Sequence, residues 1–340
     1  MERNTQFVGQ STAFLDAVER ASRAAPLQRP VLVIGERGTG KELIAERLHQ
    51  LSRRWSEPLV TLNCAALPET LIEAELFGHE QGAFTGATRA RAGRFEEADK
   101  GTLFLDELAT LSSGAQERLL RAVEYGEVTR IGSSRPIKVD VRIVAATNED
   151  LPRMADDGRF RADLLDRLSF EVITLPPLRV REGDIGVLSE YFGRRMAAEL
   201  HWESWPGFSE LARRQLEDYQ WPGNVRELRN VVERAVYRWD NWDLPVASIQ
   251  FDPFVSPWKP AAPARADNSN PDRSAPPPAA APDIEMVTDL RGAVDAHEKA
   301  ILETALARHR YNQRQTAKAL GLSYDQLRHA MKKHGLMERG

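Results

Sequence analysis

Between Pro30 and Leu175 the chain places short apolar runs, "PVLVIG", "LVTLNC", "GTLFLDE", "VRIVAATN" and "FEVITLP", among stretches with helical spacing of their apolar positions. The runs are nearly continuous rather than alternating, as in parallel strands covered on both faces, so the pattern predicts an α/β domain. From Pro176 to about Asp252 the strand-like runs give way to "DIGVLSEYFGRRMAAEL", "SELARRQLEDY" and "NVRELRNVVERAVYR", whose helical periodicity predicts a smaller α-helical subdomain. Residues 253–288 hold nearly half of the 20 prolines, with Ala, Ser and Asp and no periodic apolar face. They read as a linker that, extended at about 3.1 Å per residue, spans on the order of 100 Å. Helical spacing resumes at Asp289, which gives four segments, 1–175, 176–252, 253–288 and 289–340, and no internal repeat.

Composition narrows the classes. At 340 residues with 42% hydrophobic content the chain suits a globular protein of several domains. Its net charge of −4 argues against a wholly basic nucleic-acid coat, so any DNA contact must come from a local basic region. No apolar run approaches the roughly 20 residues that span a bilayer, and the N-terminus has no signal-like core. A cytoplasmic protein without a membrane span is expected. The single cysteine, Cys64, excludes an intramolecular disulfide and a cysteine-based metal cluster, and its place in "VTLNCAAL" suits a buried strand end.

The chemistry begins at "GERGTGKE", Gly35 to Glu42. Gly35, Gly38 and Gly40 let the backbone turn its N–H groups toward phosphate. Glu36, Arg37 and Thr39 complete the loop, and Lys41 opens a helix from which it reaches the β and γ phosphates. Glu42 stands where such loops usually carry Ser or Thr for magnesium. "GTLFLDE" ends in Asp106 and Glu107, consecutive carboxylates suited to Mg²⁺ and to the attacking water. "VRIVAATN" ends in Thr147 and Asn148, either a γ-phosphate sensor or a plain strand terminus. "FRADLLDRL" sets Arg161 and Arg167 six residues apart on a predicted helix, where they could equally be surface charges.

"GERGTGKE", "ELFGHEQGAFTGA", "GTLFLDEL", "FRADLLDRL" and "WPGNVREL" occur in the order used by AAA+ ATPases, and together they resemble the bacterial enhancer-binding proteins, activators of sigma-54 RNA polymerase, over almost the whole chain. That family commonly writes Glu after the loop lysine, so Glu42 looks like a family marker. The resemblance implies ATP and Mg²⁺ as cofactors, with Lys41 on phosphate, Asp106 on Mg²⁺ and Glu107 on the water. It implies that Asn63, otherwise a strand cap, holds the catalytic glutamate inactive. Arg161 and Arg167 become fingers donated to a neighbouring subunit, Arg226 a second sensor on the lid, and the working unit a homo-oligomer, from dimer to hexameric ring. The resemblance also gives a role to "GAFTGA", Gly82, Ala83, Phe84, Thr85, Gly86 and Ala87, as the loop that contacts sigma-54. From the residues alone, its two glycines permit a tight projecting tip with Phe84 exposed, or a Phe84 tucked back onto its own domain. "RIGSSRPIKV" is similar to the second, co-moving loop, and its composition would also make a plain hairpin turn. Nucleotide state then raises or lowers the Phe84 and Thr85 loop as a population shift.

From Arg308 to His334 there are seven Lys or Arg residues against one acid, Asp325. "QRQTAKAL", "GLS" and "YDQLRHAMKKH" read as helix, turn and recognition helix. Tyr324, Asp325, Gln326, Arg328 and His329 are the candidates for base edges, Lys332 and Lys333 for phosphates of enhancer DNA, and Gln313 for a further DNA contact. The preceding helix carries an apolar stripe suited to dimerisation in the Fis-like manner of the family. Only six residues precede "FVGQS", so no receiver or ligand-sensing domain is expected there and control should come from another protein. With "RWSEPLVTLNCAAL", this resembles the branch acting at phage shock (envelope stress) genes under a PspA-like negative regulator that contacts Trp55. Half-buried packing is the other reading of that tryptophan. A sensor-less activator of another regulon, such as secretion genes, is the alternative. A DNA-binding repressor with a vestigial ATPase is disfavoured by Lys41, Asp106, Glu107 and the two arginines, and an AAA+ helicase or chaperone leaves "GAFTGA" unexplained.

Overall fold

A computed structural model describes residues 7–254, 289–308 and 312–336. The chain forms two units, Met1–Ser256 and Pro257–Gly340. Nearly all of the expected linker, residues 255–288, lies outside the described residues.

The first unit opens with helix α1 (Thr12–Ala24), strand β1 (Val31–Ile34), α2 (Lys41–Gln50), β2 (Leu59–Asn63), α3 (Glu69–Phe77) and the short α4 (Arg94–Glu97). It continues with β3 (Thr102–Asp106), α5 (Ser113–Tyr125), the hairpin β4 (Glu127–Thr129) and β5 (Pro136–Lys138), β6 (Arg142–Thr147), α6 (Leu151–Asp156), α7 (Ala162–Leu168) and β7 (Glu171–Thr174). Five strands pair in parallel in the order β2-β3-β6-β1-β7. Successive side chains of a strand point to opposite faces, which divides each apolar run between two cores. Leu103, Leu105, Ile143 and Ala145 pack with α3, α5 and α7 on one face, while Phe104, Val144 and Ala146 pack with α1 and α2 on the other.

Arg142, at the start of β6, is an unanticipated buried charge. Its guanidinium donates to the carbonyls of Ala24 and Ala25 (2.9 and 2.7 Å) and Leu48 (3.3 Å), where α1 and α2 end. Those carbonyls have no partner within their helices, so the negative ends of two helix dipoles meet Nη1 and Nη2, while Nε is buried without a hydrogen-bond partner. Burial still pushes its pKa down to about 10.

The lid follows as a 3₁₀ turn (Leu178–Val180), α8 (Asp184–Glu199), α9 (Glu210–Asp218) and α10 (Asn224–Tyr237). They enclose Trp221, whose indole N–H donates to the Leu216 carbonyl at 2.8 Å. Asp184, fully buried, accepts from the backbone N–H of Gln10 (2.6 Å) and Ser11 (2.8 Å), the Ser11 hydroxyl (3.0 Å) and Arg181 Nε (2.7 Å). Burial raises its pKa, but these donors outweigh burial and hold the carboxyl below its ordinary value. The Arg181 guanidinium also lies 3.9 Å from the Phe14 ring centre, so one charge pair fastens the segment before α1 to the start of the lid.

The second unit holds α11 (Leu290–Arg308), α12 (Gln313–Ala319) and α13 (Tyr324–Lys333). Leu302, Leu306, Ala317, Leu327 and Met331 form its core. Gly321 (φ 66°) makes the turn, and Ser323 caps α13 in a reciprocal box with Gln326. The apolar stripe expected on α11 is divided: Leu302 and Leu306 face this core, while Val294 and Ile301 remain exposed.

Candidate functional site

Parallel register brings the chemistry to one edge of the sheet. Asn63 pairs with Asp106 across β2 and β3, and Ile34 with Thr147 across β1 and β6, so Asn63, Asp106 and Thr147 sit at carboxyl ends of strands. Such ends border the ligand crevice of open α/β sheets. Gly35 N–H donates to the Thr147 carbonyl (3.2 Å), which anchors the phosphate loop beside them.

Within the loop Gly38 (φ 79°) and Gly40 (φ 103°) take left-handed conformations, and Lys41 begins α2. Lys41 is only 8% exposed, and its Nζ donates to the carbonyls of Gly35 (2.8 Å) and Glu36 (3.2 Å). Burial lowers its pKa, countered by the carboxylates of Asp106 and Glu107. Thr39 is buried and donates through its hydroxyl to the Glu36 carbonyl (2.8 Å). The Glu36 side chain turns to the lid, accepting from Arg179 and Asn224 rather than facing the phosphate position. The lid also approaches through Arg226, whose backbone N–H points at the Gly38 carbonyl (3.4 Å).

Asp106 Oδ1 accepts from the Glu107 N–H (3.0 Å), and Glu107 itself adopts a left-handed conformation (φ 54°). Its carboxylate lies 3.6 Å from Arg37 Nε. This differs from the expected hold by Asn63, whose Oδ1 instead accepts from the Ala65 N–H (2.9 Å). Asn63 is beside Asp106, but among the described residues it makes no hydrogen bond to Glu107. Thr147 is buried and its hydroxyl accepts from the Glu149 N–H (3.0 Å); Asn148 follows the strand, with Nδ2 3.4 Å from Glu149 Oε1 and its own Oδ1 buried without a partner. The donors around Asp106 are oxygens suited to Mg²⁺. The nearby Cys64 thiol is pushed up to about 12 by burial and by the two carboxylates, so it stays protonated and unfit to bind a softer metal.

The arginine pair is not part of this cluster. Arg161 stands at the N-cap of α7, one residue before the helix rather than in it as expected, and pairs with Asp163 (2.7 Å); Arg167 pairs with Glu124 (2.8 Å). Neither makes a hydrogen bond or ion pair to the phosphate loop among the described residues.

Between α3 and α4 the chain makes a closed excursion, with His79 and Arg91 exchanging backbone hydrogen bonds at its neck (3.0 and 2.9 Å). Inside it the Gly82 N–H donates to the Ala87 carbonyl (2.8 Å) and the Ala87 N–H to the Phe84 carbonyl (3.0 Å). Phe84 is 38% exposed and leans on the His79 ring (centroids 5.0 Å apart), a position between the projecting and tucked alternatives. The β4–β5 hairpin reaches the same place. A Cβ built on Gly132 would stand 2.9 Å from the Ala83 Cβ, and Arg130 joins Glu96 (2.7 Å) to Glu80 (3.3 Å). Trp55, in the turn after α2, is 69% exposed, so it is not the half-buried packing residue that the sequence also allowed.

On α13, Asp325, Arg328, His329 and Lys332 are exposed. Others among the expected DNA contacts already have partners. The Tyr324 hydroxyl donates to Gln313 Oε1 (3.1 Å), the Gln326 side chain accepts from the Ser323 N–H (2.9 Å), and Lys333 pairs with Asp295 and Glu298 (2.7 and 2.8 Å).

Comparison with known proteins matches residues 7–174 to the Sigma-54 interaction domain, 179–251 to the AAA+ ATPase lid domain and 293–334 to the bacterial regulatory protein Fis family. The Psp operon transcriptional activator of Escherichia coli K12 is 52% identical over 98% of this chain and 99% of its own. The chain belongs to the sigma-54-dependent activators. It is an AAA+ ATPase that activates transcription by sigma-54 polymerase and binds DNA through a Fis-type helix-turn-helix. The anaerobic nitric oxide reductase regulator NorR of Aeromonas hydrophila is 43% identical over 97% of this chain, which spans 63% of that activator. Among solved structures, NtrX of Brucella abortus in complex with ATP superposes with a TM-score of 0.67 at 32% identity, covering 97% of this chain and 70% of NtrX. Among the described residues no helix is long and apolar enough to cross a membrane.

Proposed function

We propose that this activator serves phage shock (envelope stress) promoters under a PspA-like inhibitor, and that it couples ATP hydrolysis at the Lys41 and Asp106 crevice to the loop carrying Phe84 and Thr85. The register that sets Asn63, Asp106 and Thr147 beside Gly35 carries the site assignment. The regulon rests on the Psp operon relative, which the chain matches from end to end. Exposed Trp55 offers the inhibitor a surface without unfolding.

In this reading the Gly35 to Lys41 backbone and the Lys41 ammonium bind the phosphates, and Asp106 would hold Mg²⁺, which would supply neutralisation of phosphate charge. Glu107 orients the attacking water once its carboxylate leaves Arg37, with Asn63 and the sensor pair Thr147 and Asn148 at the same edge. Arg161 and Arg167, held away from their own phosphate loop, act on a neighbour's nucleotide. An arginine supplied in trans contributes about 10³ to 10⁵ in rate, so the ring is the active form. Arg226 adds a lid contact, and Asp325, Arg328, His329 and Lys332 face enhancer DNA.

Open-complex formation on a phage shock promoter with sigma-54 polymerase, with and without PspA, tests the reading. The parent should open the promoter only with ATP and Mg²⁺ and be inhibited by PspA. Lys41→Ala should lose ATP binding, and Thr85→Ala should hydrolyse ATP without opening the promoter. Opening unaffected by PspA would move the protein to another regulon, and opening by Thr85→Ala would remove the loop from the mechanism.

A further inference from the structure

Glu36 puts a carboxylate in a loop built to bind polyphosphate. A bare negative charge there would oppose the ligand, yet the side chain is held by two separate parts of the lid. Arg179, in the 3₁₀ turn before α8, grips it through both terminal guanidinium nitrogens, Nη2 to Oε1 at 2.6 Å and Nη1 to Oε2 at 2.9 Å. Asn224, at the start of α10, donates from Nδ2 to Oε2 at 3.0 Å. The same amide donates to the Arg37 carbonyl (3.1 Å) and accepts from the Leu178 N–H (2.7 Å).

This arrangement is specific in its geometry. Asn224 is fully buried and left-handed (φ 52°), a conformation that asparagine tolerates better than most residues with a Cβ. Gly38 packs so closely on the lid that a Cβ would stand 2.3 Å from the Gly223 carbonyl oxygen. Side-chain and backbone contacts therefore bind the phosphate loop to two separate parts of the lid. The fork geometry of Arg179 both neutralises and orients the carboxylate, which a lysine would do only in part.

We infer that Arg179, acting through Glu36 with Asn224, is a positioning residue for ATP: it turns the loop's own negative charge away from the phosphate site and neutralises it. The inference rests on the ATP-site reading above and adds to it a lid contact separate from Arg226.

The test is steady-state ATP hydrolysis by the full chain as parent, Arg179→Ala, Arg179→Lys, Glu36→Gln and the Glu36→Gln/Arg179→Ala double variant, with thermal midpoints to confirm folding. Arg179→Ala should raise KM for ATP about tenfold with kcat within about twofold, the size expected for one uncompensated charge near polyphosphate at surface dielectric. Arg179→Lys should fall between Arg179→Ala and the parent, which keeps the question answerable if the alanine variant folds poorly. Glu36→Gln added to Arg179→Ala should bring KM back to within about threefold of the parent, because the opposing charge is gone. A parental KM in Arg179→Ala, or a double variant as impaired as Arg179→Ala alone, would overturn the inference. Failure of the ATP-site reading would appear elsewhere, as Lys41→Ala retaining the parental rate and KM.

Discussion

Two glycine-rich loops on the same α/β framework use their glycines for different reasons. In the phosphate loop two glycines make room: side chains at Gly35 and Gly38 would meet Thr39, Leu175 and the Gly223 backbone, while the left-handed Gly40 (φ 103°) has only ordinary contacts to Leu43. In the loop from Gly82 to Ala87 both glycines are left-handed (φ 78° and 104°), yet a Cβ on either would meet nothing within 4 Å. There glycine supplies conformation only, and the space around it stays open. The phosphate loop is packed closely against its own chain, whereas the loop from Gly82 to Ala87 is shaped by its own backbone and left open at its glycines.

Five variants can break or sharpen that contrast. The largest effect is expected at the anchor of the lid that packs the phosphate loop. Asp184→Ala leaves Arg181 buried and unpaired and should cost about 3–5 kcal/mol in urea unfolding; a loss below about 1 kcal/mol would show that the lid is not fastened there. The native pKa of Asp184 lies below its unfolded value, so its contribution is complete above about pH 4. It disappears as pH falls through the depressed native pKa. Next, Gly38→Ala should weaken ATP binding by more than about a hundredfold, since its Cβ meets backbone that cannot move aside. Gly82→Ala should instead cost about 1–2 kcal/mol of local strain while ATP hydrolysis persists. Equal losses of ATP affinity would erase the distinction between the loops. Phe84→Ala should change stability by about 1 kcal/mol or less, the value of its aromatic contact with His79, while abolishing open complexes. Retained promoter opening would make the exposed ring incidental. Smallest of all, Trp55→Ala should leave stability within about 0.5 kcal/mol and affect only inhibition by PspA, so a larger loss would mean that the side chain packs in solution.

Legibility followed the same division. The strands could be read because continuous apolar runs flanked by helical spacing leave few alternatives to a buried parallel sheet, and Lys41, Asp106 and Glu107 because each ends or follows such a run. Arg142 escaped notice because its partners are carbonyls at the ends of α1 and α2, far away in sequence. Arg179 and Asn224 escaped for a similar reason: "LRVRE" and "WPGN" reveal no partner until the lid returns both to Glu36. Asn63 was placed at the correct strand end, but its side-chain partner depended on the turn through Ala65. On α13 the exposed face was legible from helical spacing, while the engagement of Lys333 with Asp295 and Glu298 required α11 to pack alongside.

The sequence by itself determined the alternation of strands and helices, the phosphate loop, the paired carboxylates and the loop from Gly82 to Ala87, because these depend on neighbours within a few residues and on the periodicity of one element. Only the tertiary structure decided which charge is neutralised by which: Glu36 by Arg179, Glu107 by Arg37, Asp184 by Arg181. Electrostatic and hydrogen-bond partners act over a few ångströms in space irrespective of their separation along the chain, and that proximity exists only after the sheet and lid have packed.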